Sequence, residues 1–336
     1  MIRVVPKDMR DLIIIRVDGG ICSQVNFVAL GLDLSGKGFR VKYDLSFFRE
    51  NGKDLTGRFV RNWDVPKAFP GLEVPEATEQ EIEVLKRHCR RRSERVESFR
   101  PPLYVDGYPD CNESLIRQVK KLRAEFLPRT DASTDSLLQF VRTGSTCAVH
   151  VRRGDLANGN PHYGAPTSIE YYRRAMRMVY ALNPTVRFVF CSDEPCWVRA
   201  NLLLLVPEGC DTIVSIENGS DKGYLDLYVV ASCDYVVSSV GSLGVFGALL
   251  SNVNRFLIMS HRRDWLSASV KNVCYVNDDL GRQKPLLVDT VSAVIPEDRL
   301  RGIWWWVFRL WRRLGLWLCC DEGIEIPCPP SMRSKC

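Results

Sequence analysis

No Asp-x-Asp triplet occurs anywhere in the 336 residues, so the chain lacks that carboxylate pair for holding a divalent cation. It also has no uninterrupted apolar run of the roughly 20 residues that a membrane-spanning helix needs. The nearest approach, Ile303 to Leu318, is broken by Arg309, Arg312 and Arg313. A dinucleotide fold would show Gly-x-Gly-x-x-Gly at its first turn. The chain reads Gly19-Gly20-Ile21-Cys22-Ser23-Gln24 there, with the third glycine missing. Its 13 cysteines are an odd number, mostly inside apolar stretches, and no second pair complements Cys191 and Cys196. That spacing argues against a zinc site or a disulfide framework and for reduced, intracellular thiols. Met1 to Asp11 is charged throughout, so no secretory signal is expected in it, and a cytoplasmic location is expected.

What is present suits α/β machinery. The chain is 46% apolar and 26% charged, with a net charge of +6, typical of a globular protein long enough for two domains. Cys147-Ala148-Val149-His150-Val151 is an apolar run bounded by Gly144 and Gly154, which reads as a short buried strand. It delivers Arg152-Arg153-Gly154-Asp155 to a carboxyl edge, where ligands bind in open α/β sheets. A planar guanidinium there suits a phosphate or pyrophosphate. The same residues would equally serve a surface loop in which Arg and Asp pair with each other. An adhesion role for Arg153-Gly154-Asp155 fits poorly, because a strand-end turn is not an exposed loop tip.

Taken in order, Leu12 to Val17 reads as a strand ending at Asp18-Gly19-Gly20, followed by a helix over 25–34 and a strand over 39–44. A helix from Pro75 starts acidic and ends in the basic run Lys86 to Arg92, complementing its dipole. No aromatics interleave with that run, so nucleic-acid binding is not expected. A proline-rich loop (Pro101, Pro102, Pro109) leads to helices over 112–126 and up to Val141, and a domain boundary is placed at Gly144. Beyond it, strands over 147–151, 186–191, 212–214, 235–237 and 256–259 alternate with helices over 168–182, 196–204, 223–232 and up to Leu250. Polar residues follow several of the strands, among them Ser192-Asp193-Glu194 and Ser238-Ser239, as in a nucleotide-type α/β domain.

His150-Val151-Arg152-Arg153-Gly154-Asp155 resembles the His-x-Arg-Arg-x-Asp motif of α1,2- and α1,6-fucosyltransferases. Three further stretches fit in order. Gly19-Gly20 through Gln24 resembles Gly-Gly-x-Gly-Asn-Gln, and Phe188 to Glu194 resembles a Phe-Ser-Asp-Asp segment. Tyr224 to Tyr228 with Ser238-Ser239 resembles an Asp-x-x-x-Met-Ser and Ser-Ser-x-Phe-Ser pair. The likeness is nearest to the α1,2-fucosyltransferases of glycosyltransferase family 11, especially bacterial O-antigen enzymes, and runs from about residue 12 to about 265. Cys22-Ser23 in place of Gly-Asn, and missing aromatics after Ser239, depart from the pattern in regions that shape acceptor binding or the sugar pocket.

The resemblance implies a GT-B fold, two Rossmann-like α/β domains facing a cleft: an acceptor-side domain over 1–144 and a GDP-fucose-binding domain over 145–290. It implies inverting transfer of L-fucose from GDP-β-L-fucose to a galactose-type hydroxyl in α1,2 linkage, in a glycan such as an O-antigen repeat. Arg152 would take the β-phosphate bidentately in place of a metal, with Arg153 assisting or held by a structural carboxylate. His150 and Asp226 would lie at the guanine–ribose end, and Ser239 and Ser242 would donate to phosphate; read alone, Asp226 is a helix-surface acid and Ser242 a helix cap. Candidates for a general base are Asp18, Asp155 and His162, or water by late proton loss. No metal or other cofactor is expected. His261-Arg262-Arg263-Asp264 echoes the main motif at a different spacing and is taken as a decoy. Other readings of the same motifs are a transferase for another nucleotide sugar and a noncatalytic nucleotide-sugar or glycan-binding protein.

Five of the eight tryptophans fall at 304, 305, 306, 311 and 317, within a tail over 291–336. On a helical wheel Arg301, Arg309, Arg312 and Arg313 share about a third of the circumference. This predicts an interfacial helix on an anionic membrane, with the protein peripheral at the inner face of the cytoplasmic membrane. A helix docked on the protein's own core would show the same pattern.

Overall fold

The computed structural model describes residues 5–54, 57, 59–91, 96–157, 164–215, 222–251, 256–259 and 273–276. These belong to Met1–Ser292, which forms one compact unit. The first half runs β1 (Leu12–Arg16), α1 (Ile21–Gly36), β2 (Arg40–Asp44), the single turns α2 (Ser46–Arg49) and α3 (Val65–Ala68), α4 (Glu79–His88), β3 (Arg90–Arg91), β4 (Leu103–Val105) and α5 (Asn112–Glu125). The second runs α6 (Ala132–Arg142), β5 (Thr146–Val151), α7 (Ile169–Leu182), β6 (Arg187–Ser192), α8 (Pro195–Asn201), β7 (Thr212–Val214), α9 (Gly223–Ser232), β8 (Tyr235–Ser238), α10 (Leu243–Leu250), β9 (Phe256–Met259) and β10 (Val273–Tyr275). Two parallel sheets result, ordered β2-β1-β4-β3 and β10-β9-β8-β5-β6-β7. This is the α/β class of two Rossmann-like halves expected for the chain.

Local chemistry explains the element ends. Gly20 is extended and forms the N-cap of α1, and Gln24 donates its backbone N–H to the Gly20 carbonyl at 3.1 Å. The helix therefore opens at Ile21, directly after the glycine pair, rather than at Val25. Thr78 and Glu81 make a reciprocal capping box at the start of α4, so that helix begins at Glu79 and not at Pro75. It also stops at His88. Arg90 and Arg91, expected as its basic end, leave it and pair with β4 as an edge strand. Ser168 caps α7 as expected, its hydroxyl accepting from the Tyr171 N–H at 3.2 Å.

Besides β3, two further strands come in addition to those expected. β4 is internal to the first sheet although it has only three residues, and β10 extends the second sheet beyond Met259. α5 packs on α1 and α6 on α9, so the chain passes between halves in the polar link before Ala132. Buried residues of both halves form one continuous core, and the rings of Phe69, Phe126 and Tyr228 carry it across. The Trp-rich segment 301–318 and the decoy at 261–264 lie outside the described residues.

Candidate functional site

Side chains alternate along β5 and keep alternating for two residues past its end. Cys147, Val149 and Val151 face the cluster built with α7 and α8. Ala148 belongs with the opposite face, which α9 and α10 cover. His150 shares that parity, and Arg152 continues it while Arg153 falls on the other side. The two arginines accordingly separate. The Arg153 guanidinium stacks over Trp197 of α8 at 3.8 Å, and its Nε donates to Glu194 at 3.3 Å. Of the two roles considered for it, being held by a structural carboxylate is the one observed.

Arg152 points to where the two halves meet. Its Nε donates to Asp155 Oδ1 at 2.9 Å and Nη2 to Oδ2 at 2.5 Å, so one side of the guanidinium is held by that carboxylate. Pairing of these two residues, the alternative considered from sequence, is thus real, and it takes place at a half-buried strand end and not in an exposed loop. Nη1 lies against Gly241, where an added Cβ would come within 2.8 Å of it. Gly241 has φ +116°, a conformation L side chains rarely adopt. The Arg152 backbone N–H donates to the Ser239 hydroxyl at 3.0 Å.

Ser239 is buried, with its hydroxyl also 3.2 Å from His150 Nδ1. It therefore holds the strand end together rather than standing open to a phosphate. Ser242 occupies the N-cap position of α10 without making a capping bond, and it lies beside the Cys22 thiol on α1. Burial pushes that thiol up to about 12, against the opposing effects of Ser242 and of the positive charges of Arg152 and Arg61. Asp226 sits half-buried in the first turn of α9, and its charge reaches Cys191, the residue paired in register with His150.

His150 is pushed down to about 3, first by burial and then by the Arg152 charge, so it is neutral at ordinary pH. In the unfolded chain it titrates near 6.5 and takes up a proton that the folded protein refuses. Its contribution to stability is complete above that value and is lost as pH falls toward 3. The expected loss is on the order of 1 kcal/mol per pH unit. His150→Asn should flatten the dependence of Tm on pH between about 6.5 and 4.5, a window above most carboxylate titration. An unchanged slope in that variant would contradict the buried, neutral imidazole.

Several residues in the site were not among those expected from sequence. Asp193, after β6, accepts the N–H groups of Arg153 and Gly154 at 2.9 Å each and shapes the turn that carries the arginines. Burial pushes its carboxyl up, outweighing those two hydrogen bonds. Gln24 is fully buried; its amide donates to the carbonyls of Gly19 at 3.1 Å and Asn62 at 2.7 Å, and its oxygen accepts from the Asp64 N–H at 2.9 Å. This ties the glycine turn to the segment carrying Arg61, whose Nη1 lies 3.9 Å from where a Gly20 Cβ would be. Asp18 accepts from the Tyr108 hydroxyl and faces Arg16 at 3.5 Å; Arg16 also donates to Asp106, at the end of β4, at 3.3 Å. His162 lies outside the described residues. Among the described residues, no three His, Cys, Asp or Glu side chains gather as metal ligands.

The model of glycosyl transferase family 11 matches residues 104–267, which include all of β5, β6, α9, β8 and α10. No curated protein sequence matches the chain. Solved structures similar to it include the fucosyltransferase NodZ from Bradyrhizobium, 16% identical, with a TM-score of 0.40 over 71% of this chain and 92% of that one. Another is the E. coli ADP-heptose LPS heptosyltransferase II, 11% identical, with a TM-score of 0.44 over 79% and 89% of the two chains. A third is POFUT1 in complex with GDP-fucose, 10% identical, with a TM-score of 0.40 over 75% and 98%.

Proposed function

We propose that this chain is a glycosyltransferase of family 11 and that it transfers L-fucose, with inversion, from GDP-β-L-fucose to a galactose-type hydroxyl in α1,2 linkage. The observation that carries the reading is Arg152, held by Asp155 at the end of β5 and turned toward the first turn of α1. Asp155 occupies the Nε side of the guanidinium, so the phosphate would be met from the Nη1 side. In the transfer, the acceptor oxygen bonds to C1 of fucose as the bond from C1 to the β-phosphate oxygen breaks. The electron pair leaves with GDP, and Arg152 offsets the charge that develops there. Asp155 is a positioning residue in this scheme, as are Ser239 and Asp193. Asp18, at the end of the acceptor-side sheet, is our candidate for receiving the hydroxyl proton. His150 and Asp226 border the nucleoside end.

Charge neutralisation by arginine makes the proposed reaction independent of metal. The acceptor we propose is a lipid-linked polysaccharide repeat such as an O-antigen unit. The arginine and tryptophan pattern of 301–318 supports work at the inner face of the cytoplasmic membrane. Salt-sensitive co-sedimentation with anionic but not neutral vesicles is the check on that location.

The test of function is a donor panel in excess EDTA. GDP-fucose, GDP-mannose and UDP-galactose are each offered without acceptor and with a small β-galactoside. GDP-fucose should be hydrolysed slowly alone and consumed faster with the galactoside, giving an α1,2-fucoside. Turnover of a different donor would replace the proposed one. Binding without turnover of any donor would indicate a noncatalytic binder, and activity restored only by manganese would remove the arginine-only site.

A further inference from the structure

Arg61 differs from the other arginines around the cleft. Arg16 and Arg90 lie against Asp106, Arg152 against Asp155, and Arg153 against Glu194. The Arg61 guanidinium is half-buried and has no ion-pair or hydrogen-bond partner among the described residues. Its neighbour is the Phe59 ring, at 5.9 Å. It is nevertheless firmly placed. Its backbone N–H donates to the Gly52 carbonyl at 2.9 Å, and Gln24 grips the chain just beyond it at Asn62 and Asp64. Phe59 reaches the turn of the second half, 3.4 Å from where a Gly154 Cβ would lie.

Both guanidiniums lie near the start of α1: Arg61 Nη1 is 3.9 Å from where a Gly20 Cβ would be, and the positive charges of both arginines lower the Cys22 thiol. Two guanidiniums brought near each other repel, and of the two only Arg152 has a carboxylate partner among the described residues. Such a pair is stabilised when an anion with more than one charge sits between its members.

We propose that Arg61 is the second arm of the donor's diphosphate site, meeting from the first half the phosphates that Arg152 meets from the second. The assignment rests on the reading of the donor as a nucleoside diphosphate sugar. It makes the diphosphate a bridge between the halves, and it gives Gln24 a purpose: holding Arg61 above the glycine turn.

The test is titration calorimetry with GDP, UDP, inorganic pyrophosphate and guanosine, on the full chain and on Arg61→Ala, Arg61→Gln and Arg152→Ala. The two Arg61 variants should weaken GDP and pyrophosphate by at least about tenfold. They should leave guanosine binding unchanged and should not lower the Tm by much, since losing the contact with Phe59 is offset by relief of repulsion from Arg152. If both Arg61 variants bind GDP as the natural chain does while Arg152→Ala loses it, Arg61 is not in the site and the Arg152 reading stands. If UDP binds in place of GDP and still depends on Arg61, the clamp holds and the GDP-fucose reading falls. If the natural chain binds none of the phosphate-bearing probes, both fall.

Discussion

Arg152→Ala should lower transfer to a small soluble galactoside by on the order of 10²–10³-fold, because leaving-group charge then develops unopposed in the cleft. Arg152→Lys should do little better. Asp155 is placed to hold Nε and Nη2 together, and an ammonium cannot offer one face to that carboxylate and another to a phosphate. Most of the loss should fall on kcat, since the charge is greatest in the transition state. Asp155→Asn should cost less, about tenfold, by loosening the guanidinium. Added to Arg152→Ala it should cost almost nothing more, as expected of a residue that acts through another. Initial rates for the four variants and the natural chain against GDP-fucose settle the point. Arg152→Lys at near-natural rate would sink the proposed role.

A single methyl group at Gly241 should be nearly as damaging. The backbone there has φ +116°, and a Cβ would stand 2.8 Å from Arg152 Nη1 and 3.2 Å from its Cδ. Gly241→Ala must therefore either rebuild the turn before α10 or displace the arginine, and transfer should fall on the order of 10²-fold. Gly209 supplies the control. It has φ +82° with nothing within 4 Å of an added Cβ, so Gly209→Ala carries backbone strain without touching the site. Each variant should lose about 1–3 kcal/mol of stability, read as Tm, but only Gly241→Ala should lose activity. Equal activity in the two would mean that Arg152 does not need the position described.

The second half was the more legible from sequence because its central strands β5, β6 and β8 are buried on both faces and read as apolar runs. Phe188-Val189-Phe190-Cys191 and Tyr235-Val236-Val237 could hardly be anything else. The alternation that sends Arg152 and Arg153 to opposite faces was also there to be read, from the parity of Cys147 to Val151. β4 was not legible: Leu103-Tyr104-Val105 sits between Pro102 and Gly107, too short to show a period. Gln24, Arg61 and Gly241 were hidden for a different reason. Their roles come from contacts between distant parts of the chain, such as the Gln24 bond to Asn62 and the approach of Arg152 to the turn at Gly241. Thr78-Glu79-Gln80-Glu81, by contrast, is a local signature that marks the true start of α4.

The strand order β8-β5-β6 bears on when the protein becomes competent. β5 is complete at Val151, but one of its neighbours is β8, and Arg152 and His150 find their serine partner only at Ser239. A chain emerging from the ribosome therefore carries the arginine turn long before it carries the residues that orient it. Parallel pairing between segments so far apart in sequence also closes a long loop and forms slowly. Until β8 docks, one edge of β5 is an unsatisfied template for pairing with other chains. Completion of the proposed donor site and cover for that edge of β5 thus both wait on β8.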